Sequence, residues 1–314
     1  MTETIIFMGT PDFSVPILEK LHEKHNVALV ISQPDKPVGR KRVLTSPPVA
    51  EAAKTLDIPL FQPQDIRHDE AVDQIRGMAP DLIITAAYGQ ILPKALLDIP
   101  RLGAVNVHAS LLPKHRGGAP IHRAIMEGDA ETGVTLMYMA EGLDSGDIIA
   151  SVKTGITPED DTGTLHDRLS HLGAKLLNET LPALLAGTNS RVPQNEGQVT
   201  ISPNISKEDE LLDFEDNAEH LFNHIRGLSP WPGAYTEMDG KRLKIYGARL
   251  LEKHSQRQPG TIDSVTEDGF TVVAGDHRLI EVTQVQLAGK KRTDASEFTA
   301  GRQNLEGTIL GGIS

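Results

Sequence analysis

The chain has 314 residues, 39% hydrophobic and 24% charged, with a formal net charge of −12 and no cysteine. That length and composition suit one large or two ordinary domains of a folded, soluble protein and exclude a disordered one. The missing cysteine excludes disulfides, thiolate metal sites and thiol catalysis, and the acidic balance argues against a surface that grips nucleic acid everywhere.

The start, "MTETIIFMGTPDF", has no basic segment ahead of a long apolar one, so no signal peptide is expected. No apolar run approaches the roughly 20 residues that span a bilayer. A cytoplasmic protein without membrane partners is the expectation. Aromatics are scarce at 4%, which leaves the core to Leu, Ile, Val and Ala.

In chain order, "TIIFMG" (4–9) reads as a buried strand and Ser14 as the N-cap of a helix through "VPILEKLHEK". "VALVIS" (27–32) is a second strand. With four prolines and a glycine, "QPDKPVGRKRVLTSPP" (33–48) reads as a long loop. It carries Lys36, Arg40, Lys41 and Arg42, and no acid occurs from 36 to 50. A helix through "VAEAAKTL" follows, then a short strand near Leu60 and Phe61 and a helix near 68–78. "DLIITAAY" (81–88) and "GAVNVH" (103–108) are further strands, and "PIHRAIMEG" is a helix. This alternation predicts a parallel, doubly wound α/β sheet.

"GVTLMYM" (133–139) and "GDIIASVKT" (146–154) read as a β-pair near one edge. A helical pattern covers 162–187, with Leu165, Leu169, Leu172, Leu176 and Leu177 on one face. The polar, aperiodic stretch after it reads as a linker at 189–207, between domains at 1–188 and 208–314. Beyond it, one helix ("NAEHLFNHIRGL", 217–228) precedes "SPWPGAY" and the strands "AYTEM", "KRLKIYGARLL", "GTIDSV", "GFTVVAG" and "RLIEVTQVQL". Short strands between glycine turns predict a small β-barrel. The run 208–219 holds seven acids and reads as a solvated face.

The period of two puts Val105 and Val107 on one strand face and Asn106 and His108 on the other. Ligand sites in open α/β sheets lie beyond the carboxyl ends of strands. An isolated N-x-H is more often a loop contact than a site, but here Pro113 stiffens the adjoining loop and Gly117-Gly118 admits close backbone approach. A second polar loop, "EGLDSGD" (141–147), presents Asp144 and Asp147. A carboxylate near His108 would stabilise an imidazolium there. Amide, imidazole and carboxylate without a nucleophilic Ser or Cys suit direct group transfer, with donors for a developing oxyanion. No G-x-G-x-x-G or P-loop occurs, which weakens a nucleotide reading. The twelve histidines show no ligand spacing, so no metal is expected. His22, His25, His166 and His171 read as surface residues of helices, and Trp231 as a packing anchor.

"NVHASLLPKHRGGAPI" with "GLDSGDI" resembles the folate-dependent formyltransferases. Matches at "GTPDFSVPILEKL", "AAYGQILPK" (86–94) and "GLSPWPGAY" (227–235) extend the resemblance over nearly the whole chain. It implies the formyltransferase fold: a Rossmann-like, mostly parallel sheet followed by an OB-like β-barrel. It also implies transfer of the formyl group of 10-formyltetrahydrofolate to an amine, without a metal. Residue by residue, it implies a catalytic trio of Asn106, His108 and Asp144. Ser110, Leu111, Leu112 and Pro113 would line the folate site. Tyr88, Gly89, Ile91 and Leu92, with the residues before Asp144, would wall the pterin pocket.

Members of the family act on different amines, among them glycinamide ribonucleotide, amino-sugar nucleotides and the methionine carried by initiator tRNA. The long basic loop resembles that of the tRNA-acting members. Arg42 matches the arginine that senses the unpaired first position of initiator tRNA, and Lys36, Arg40 and Lys41 would contact phosphates. Lys241, Arg242 and Lys244, with Lys290, Lys291 and Arg292, would form a second contact along the tRNA. Formylation of methionyl initiator tRNA by a monomer is therefore the leading expectation. A sugar-nucleotide formyltransferase and a binding protein without turnover are the other two.

Overall fold

In a computed structural model, which describes residues 3–39, 41–302 and 304–311, the chain divides into two compact units. The first holds Met1–Gly117, Thr132–Thr154 and His166–Ser202, and the second Gly118–Glu131, Gly155–Leu165 and Pro203–Ser314. The 189–207 stretch contains no α-helix or extended strand. Its part up to Ser202 lies in the first unit.

Elements run in chain order as β1 (Ile5–Gly9), α1 (Val15–His22), β2 (Val27–Ile31), β3 (Lys36–Val38), β4 (Val43–Thr45), α2 (Pro48–Thr55), β5 (Leu60–Phe61), α3 (Asp69–Gly77), β6 (Leu82–Ala86), α4 (Lys94–Leu97) and β7 (Ala104–His108). Then come α5 (Pro120–Met126), β8 (Glu131–Tyr138), β9 (Ile148–Gly155) and α6 (Thr162–Ala186). The main sheet has the order β5-β2-β1-β6-β7-β8-β9. Its pairs are parallel from β5 to β7, and β8 is antiparallel to β7. Every residue of β1 and β6 is buried, because helices on both faces leave no face for polar alternation. The expected doubly wound sheet is present, with its mouth at the carboxyl ends of β1, β6 and β7. On α6, Gly173 lies against the back of β7: a Cβ there would stand 2.9 Å from Val107.

Two local expectations change. Ser14 occupies the N-cap position of α1 without capping it, and its Oγ instead donates to the Ala86 carbonyl at 2.6 Å, tying α1 to the end of β6. The 33–48 stretch is a hairpin and not a loop. β3 and β4 pair antiparallel, with Pro37 opposite Leu44. Pro37 has no N–H, so it can offer Leu44 only an accepting carbonyl. Gly39 (φ 71°) and Arg42 (φ 49°) turn the tip through the left-handed region. At the base, Asp35 accepts from Gln62 at 2.8 Å and from Ser46 at 3.0 Å.

The second unit adds α7 (Ala218–Gly227), β10 (Ala234–Met238), β11 (Lys241–His254), β12 (Ile262–Val265), β13 (Phe270–Val273), β14 (Arg278–Leu287), β15 (Thr293–Asp294) and α8 (Ala295–Ala300). Asn217 caps α7 by accepting from the His220 N–H at 2.8 Å. The antiparallel order is β10-β11-β14-β13-β12, with β15 beside β14. Register shifts around Gly247 bend β11. Leu221, Ile225, Ile245, Ile262, Phe270 and Val282 fill the core. The tail spans the remaining gap. Ile262 N–H donates to Thr308 O and Leu310 N–H to Gly260 O beside β12, while Gly311 N–H donates to Glu237 O of β10, at 2.8–2.9 Å.

Candidate active site

Asn106 and His108 share the face of β7 that the alternation predicts. Asn106 stands opposite Thr85 of β6 and Met137 of β8, and His108 opposite Thr135. Thr85 Oγ donates to Asn106 Oδ1 at 2.7 Å. That fixes the amide so that Nδ2 is the donor it offers elsewhere.

The chain after β7 is stiff. Ser110 is fully buried, and its Oγ donates to Lys114 O at 2.7 Å. Thr135 Oγ donates to Ser110 O at 2.7 Å and accepts from the Leu112 N–H at 3.1 Å. The Leu112–Pro113 peptide is cis. His115, in the left-handed region at φ 58°, turns its carbonyl to His108 Nε2 at 2.9 Å. A carbonyl oxygen only accepts, so Nε2 carries a proton. The other ring nitrogen, Nδ1, faces Asp144 Oδ2 at 3.7 Å, near enough for an ion pair but too long for a direct hydrogen bond. His108 is 6% exposed, so little water screens that pair.

Asp144 sits at φ 44° and accepts from the Gly117 N–H at 2.8 Å. Gly117 has φ 120°, and a Cβ there would lie 2.6 Å from the Ser202 carbonyl, so the position requires glycine. The structure thus gathers all three predicted catalytic side chains in the first unit.

Other predicted residues are more scattered. Leu112 is buried, while Leu111 and Pro113 are half-buried beside the trio. Tyr88 and Leu92 belong to the core with Ile6, Met8 and Ile31. Burial pushes the Tyr88 hydroxyl up to about 12. Gly89 (φ 89°) is exposed, and Ile91 is 82% exposed on the loop leaving β6, whose carboxyl end neighbours that of β7. A separate pocket of about 510 Å³ is lined by Leu97, Leu102, Ala104, Tyr138, Met139 and Glu141 among others, and by none of the trio.

Of the predicted tRNA contacts in the hairpin, Lys36, Lys41 and Arg42 are exposed, whereas Arg40 lies outside the described residues. In the second unit Lys241, Arg242, Lys290, Lys291 and Arg292 are exposed. The Ala288 N–H donates to Arg242 O, which brings the β14–β15 turn beside β11. Arg242 stacks on Tyr235 at 3.9 Å and Arg292 on Tyr246 at 4.2 Å. Lys244 is already engaged, with Nζ on Pro232 O at 2.5 Å and near Glu210.

Sequence reasoning missed Thr85, Arg116 and Gln194. Thr85 is one polar residue in an apolar strand, and Arg116 stands beside the Gly117-Gly118 pair with nothing to single it out. Gln194 lay in an aperiodic stretch with nothing to mark it.

The model of the family described as formyl transferase matches residues 3–181, and that of the formyl transferase C-terminal domain matches residues 204–303. The chain belongs to the formyl transferase family. Among relatives of this formyl transferase, the methionyl-tRNA formyltransferase of Macrococcus caseolyticus (strain JCSC5402) is 53% identical over 300 residues, 96% of each chain. Two of the solved structures that share the fold differ in length. One is HypX from Aquifex aeolicus in complex with tetrahydrofolic acid, with TM-score 0.65 and 17% identity over 95% of this chain and 46% of that one. The chain therefore spans about half the length of HypX. The other is the N-formyltransferase from Helicobacter canadensis in complex with folinic acid and dTDP-3-aminofucose, with TM-score 0.67 and 18% identity over 90% and 99% of the two chains.

Proposed function

We propose that this formyl transferase moves the formyl group of 10-formyltetrahydrofolate to the α-amino group of methionyl initiator tRNA, giving N-formylmethionyl-tRNA for translation initiation. The 53% identity to a methionyl-tRNA formyltransferase over 96% of both chains carries the reading. The exposed Ile91 and half-buried Leu111 and Pro113 offer the apolar surface that suits a flat pterin.

When bound, the folate supplies an activated formyl carbon on N10. Asn106 Nδ2 and a protonated His108 Nδ1 donate to the formyl oxygen as the amine adds and negative charge develops. His115 O holds Nε2–H throughout, so the ring keeps its orientation. Asp144 stabilises the imidazolium and relays the proton that the amine loses to N10, which gains it as the old C–N bond breaks. No step in this scheme needs a metal. The cations of the hairpin and of the β11 and β14–β15 edge serve the tRNA phosphates, and Arg42 the first base position. A monomer acting in the cytoplasm fits this role. Among the described residues no helix is long and apolar enough to cross a membrane.

The test supplies 10-formyltetrahydrofolate with charged initiator tRNA, and separately with dTDP-linked amino sugars, and follows formyl transfer. Transfer to the tRNA alone is expected. Transfer to an amino sugar without tRNA would replace this reading with the sugar-nucleotide one.

A further inference from the structure

The side-chain amide of Gln194 is saturated. Its Oε1 accepts from Arg116 Nε at 3.0 Å and Nη2 at 2.8 Å. Its Nε2 donates to the carbonyls of Asp144 at 2.7 Å and Gly146 at 2.8 Å. An amide side chain has two donor hydrogens and two acceptor lone pairs, and here all are used. Both backbone carbonyls belong to the loop that presents Asp144.

Arg116 is as firmly held. Its side chain is only 7% exposed and pairs with Glu196 at 2.8 Å. Its N–H donates to Thr200 O at 2.9 Å, and its carbonyl accepts from the Ser202 N–H at 2.7 Å. The next residue, Gly117, supplies the N–H that grips the Asp144 carboxylate. One anchored segment, 116–117, therefore holds both ends of Asp144: the carboxylate directly, and the carbonyl through Gln194. Asp144 needs such a hold. A non-glycine residue at φ 44° keeps that conformation only where its surroundings impose it.

We propose that Gln194 is a positioning residue, which sets the Asp144 carboxylate against His108 Nδ1 by fixing the backbone of residues 144–146 to Arg116. The assignment rests on the trio proposed above. The residue type follows from the chemistry. A glutamate would keep the Arg116 contact but turn a carboxylate onto two carbonyl oxygens, and a hydrocarbon would satisfy neither side.

The experiment compares Gln194→Glu, Gln194→Met and Asp144→Asn in the full chain. It measures kcat, KM for 10-formyltetrahydrofolate and for methionyl-tRNA, and the thermal unfolding midpoint. Gln194→Glu should lower kcat by about 10- to 100-fold, the scale of a misplaced catalytic group. Both KM values should stay within about threefold, and the midpoint within about 3 °C of the parent. Gln194→Met should behave alike and stands in if the glutamate variant does not fold. In single turnovers at high enzyme concentration, Asp144→Asn with Gln194→Glu should be no slower than Asp144→Asn alone, since one residue acts through the other.

A parental kcat in the Gln194 variants beside an inactive Asp144→Asn overturns the positioning role and leaves the trio standing. A fall in kcat that comes with raised KM values and a lowered midpoint assigns Gln194 to structure and overturns it equally. Near-parental turnover by Asp144→Asn removes the trio, and the positioning role with it.

Discussion

His108 is oriented from both sides of its ring, by the His115 carbonyl at Nε2 and by the Asp144 carboxylate facing Nδ1. His108→Ala deletes the donor while leaving Asn106 fixed by Thr85. It should lower kcat by about 10²- to 10⁴-fold, with binding of 5-formyltetrahydrofolate and the unfolding midpoint little changed. Near-normal turnover would remove His108 from the chemistry. His224 makes a different prediction. Burial holds its imidazole below the usual 6.5, against the opposing bond from its Nε2 to Asp209 O. The folded state thus binds fewer protons than the unfolded one, so this stabilisation is present above pH 6.5 and is lost as pH falls below it. The unfolding midpoint should drop between about pH 7 and pH 5, and drop less in His224→Gln. Asn106 and His108 were legible as a pair because a strand's period placed them on one face, while the family resemblance singled out Asp144 over Asp147 in its loop. The residues that orient the trio were not. Thr85 and Gln194 act through tertiary contacts, and neither has a period or motif.

At the scale of elements, the hairpin of β3 and β4 is the clearest departure from the sequence reading. Its prolines read as loop, yet Pro37 stands within β3, opposite Leu44. All six residues of β3 and β4 are exposed, so no hydrophobic alternation could have signalled them. The Asp35 anchor at its base, with its carboxyl held below the usual range chiefly by the Gln62 hydrogen bond, presents the tip as a unit. Replacing residues 38–43 with a tight Asn-Gly turn should leave folate binding and the melting profile intact. It should raise KM for methionyl-tRNA by about tenfold or more, as several phosphate contacts are lost. An unchanged KM would remove the hairpin from tRNA recognition. The buried strands β1, β2 and β6 were readable because nearly continuous apolar runs are what a sheet covered on both faces requires.

For the molecule as a whole, the acidic run 208–219 is a solvated face only in part, at Glu208, Asp213, Glu215 and Glu219. Within that run Leu212 and Phe214 are core residues, Asp209 pairs with Arg123 at 2.7 Å, and Glu210 lies near Lys244. Composition cannot show such partners, because they come from distant segments. The same holds for the tail, which the sequence left without a role. Ending the chain at Arg302 would remove its backbone bonds and the buried Leu305 and Leu310. That should destabilise the second unit by about 3–6 kcal/mol. The chain's one tryptophan, Trp231, lies in that unit, so its fluorescence should report an earlier melting transition. An unshifted transition would make the tail dispensable.

The tail's position also orders the assembly of the second unit. Its bonds to Gly260, Ile262 and Glu237 come from the last described residues of the chain. During synthesis β12, and β10 at Glu237, must therefore wait with open backbone edges until residues 308–311 have been made. Exposed edges of that kind recruit other strands. The hazard for this protein in the cell is greatest in the interval before residues 308–311 arrive, and least once they have docked.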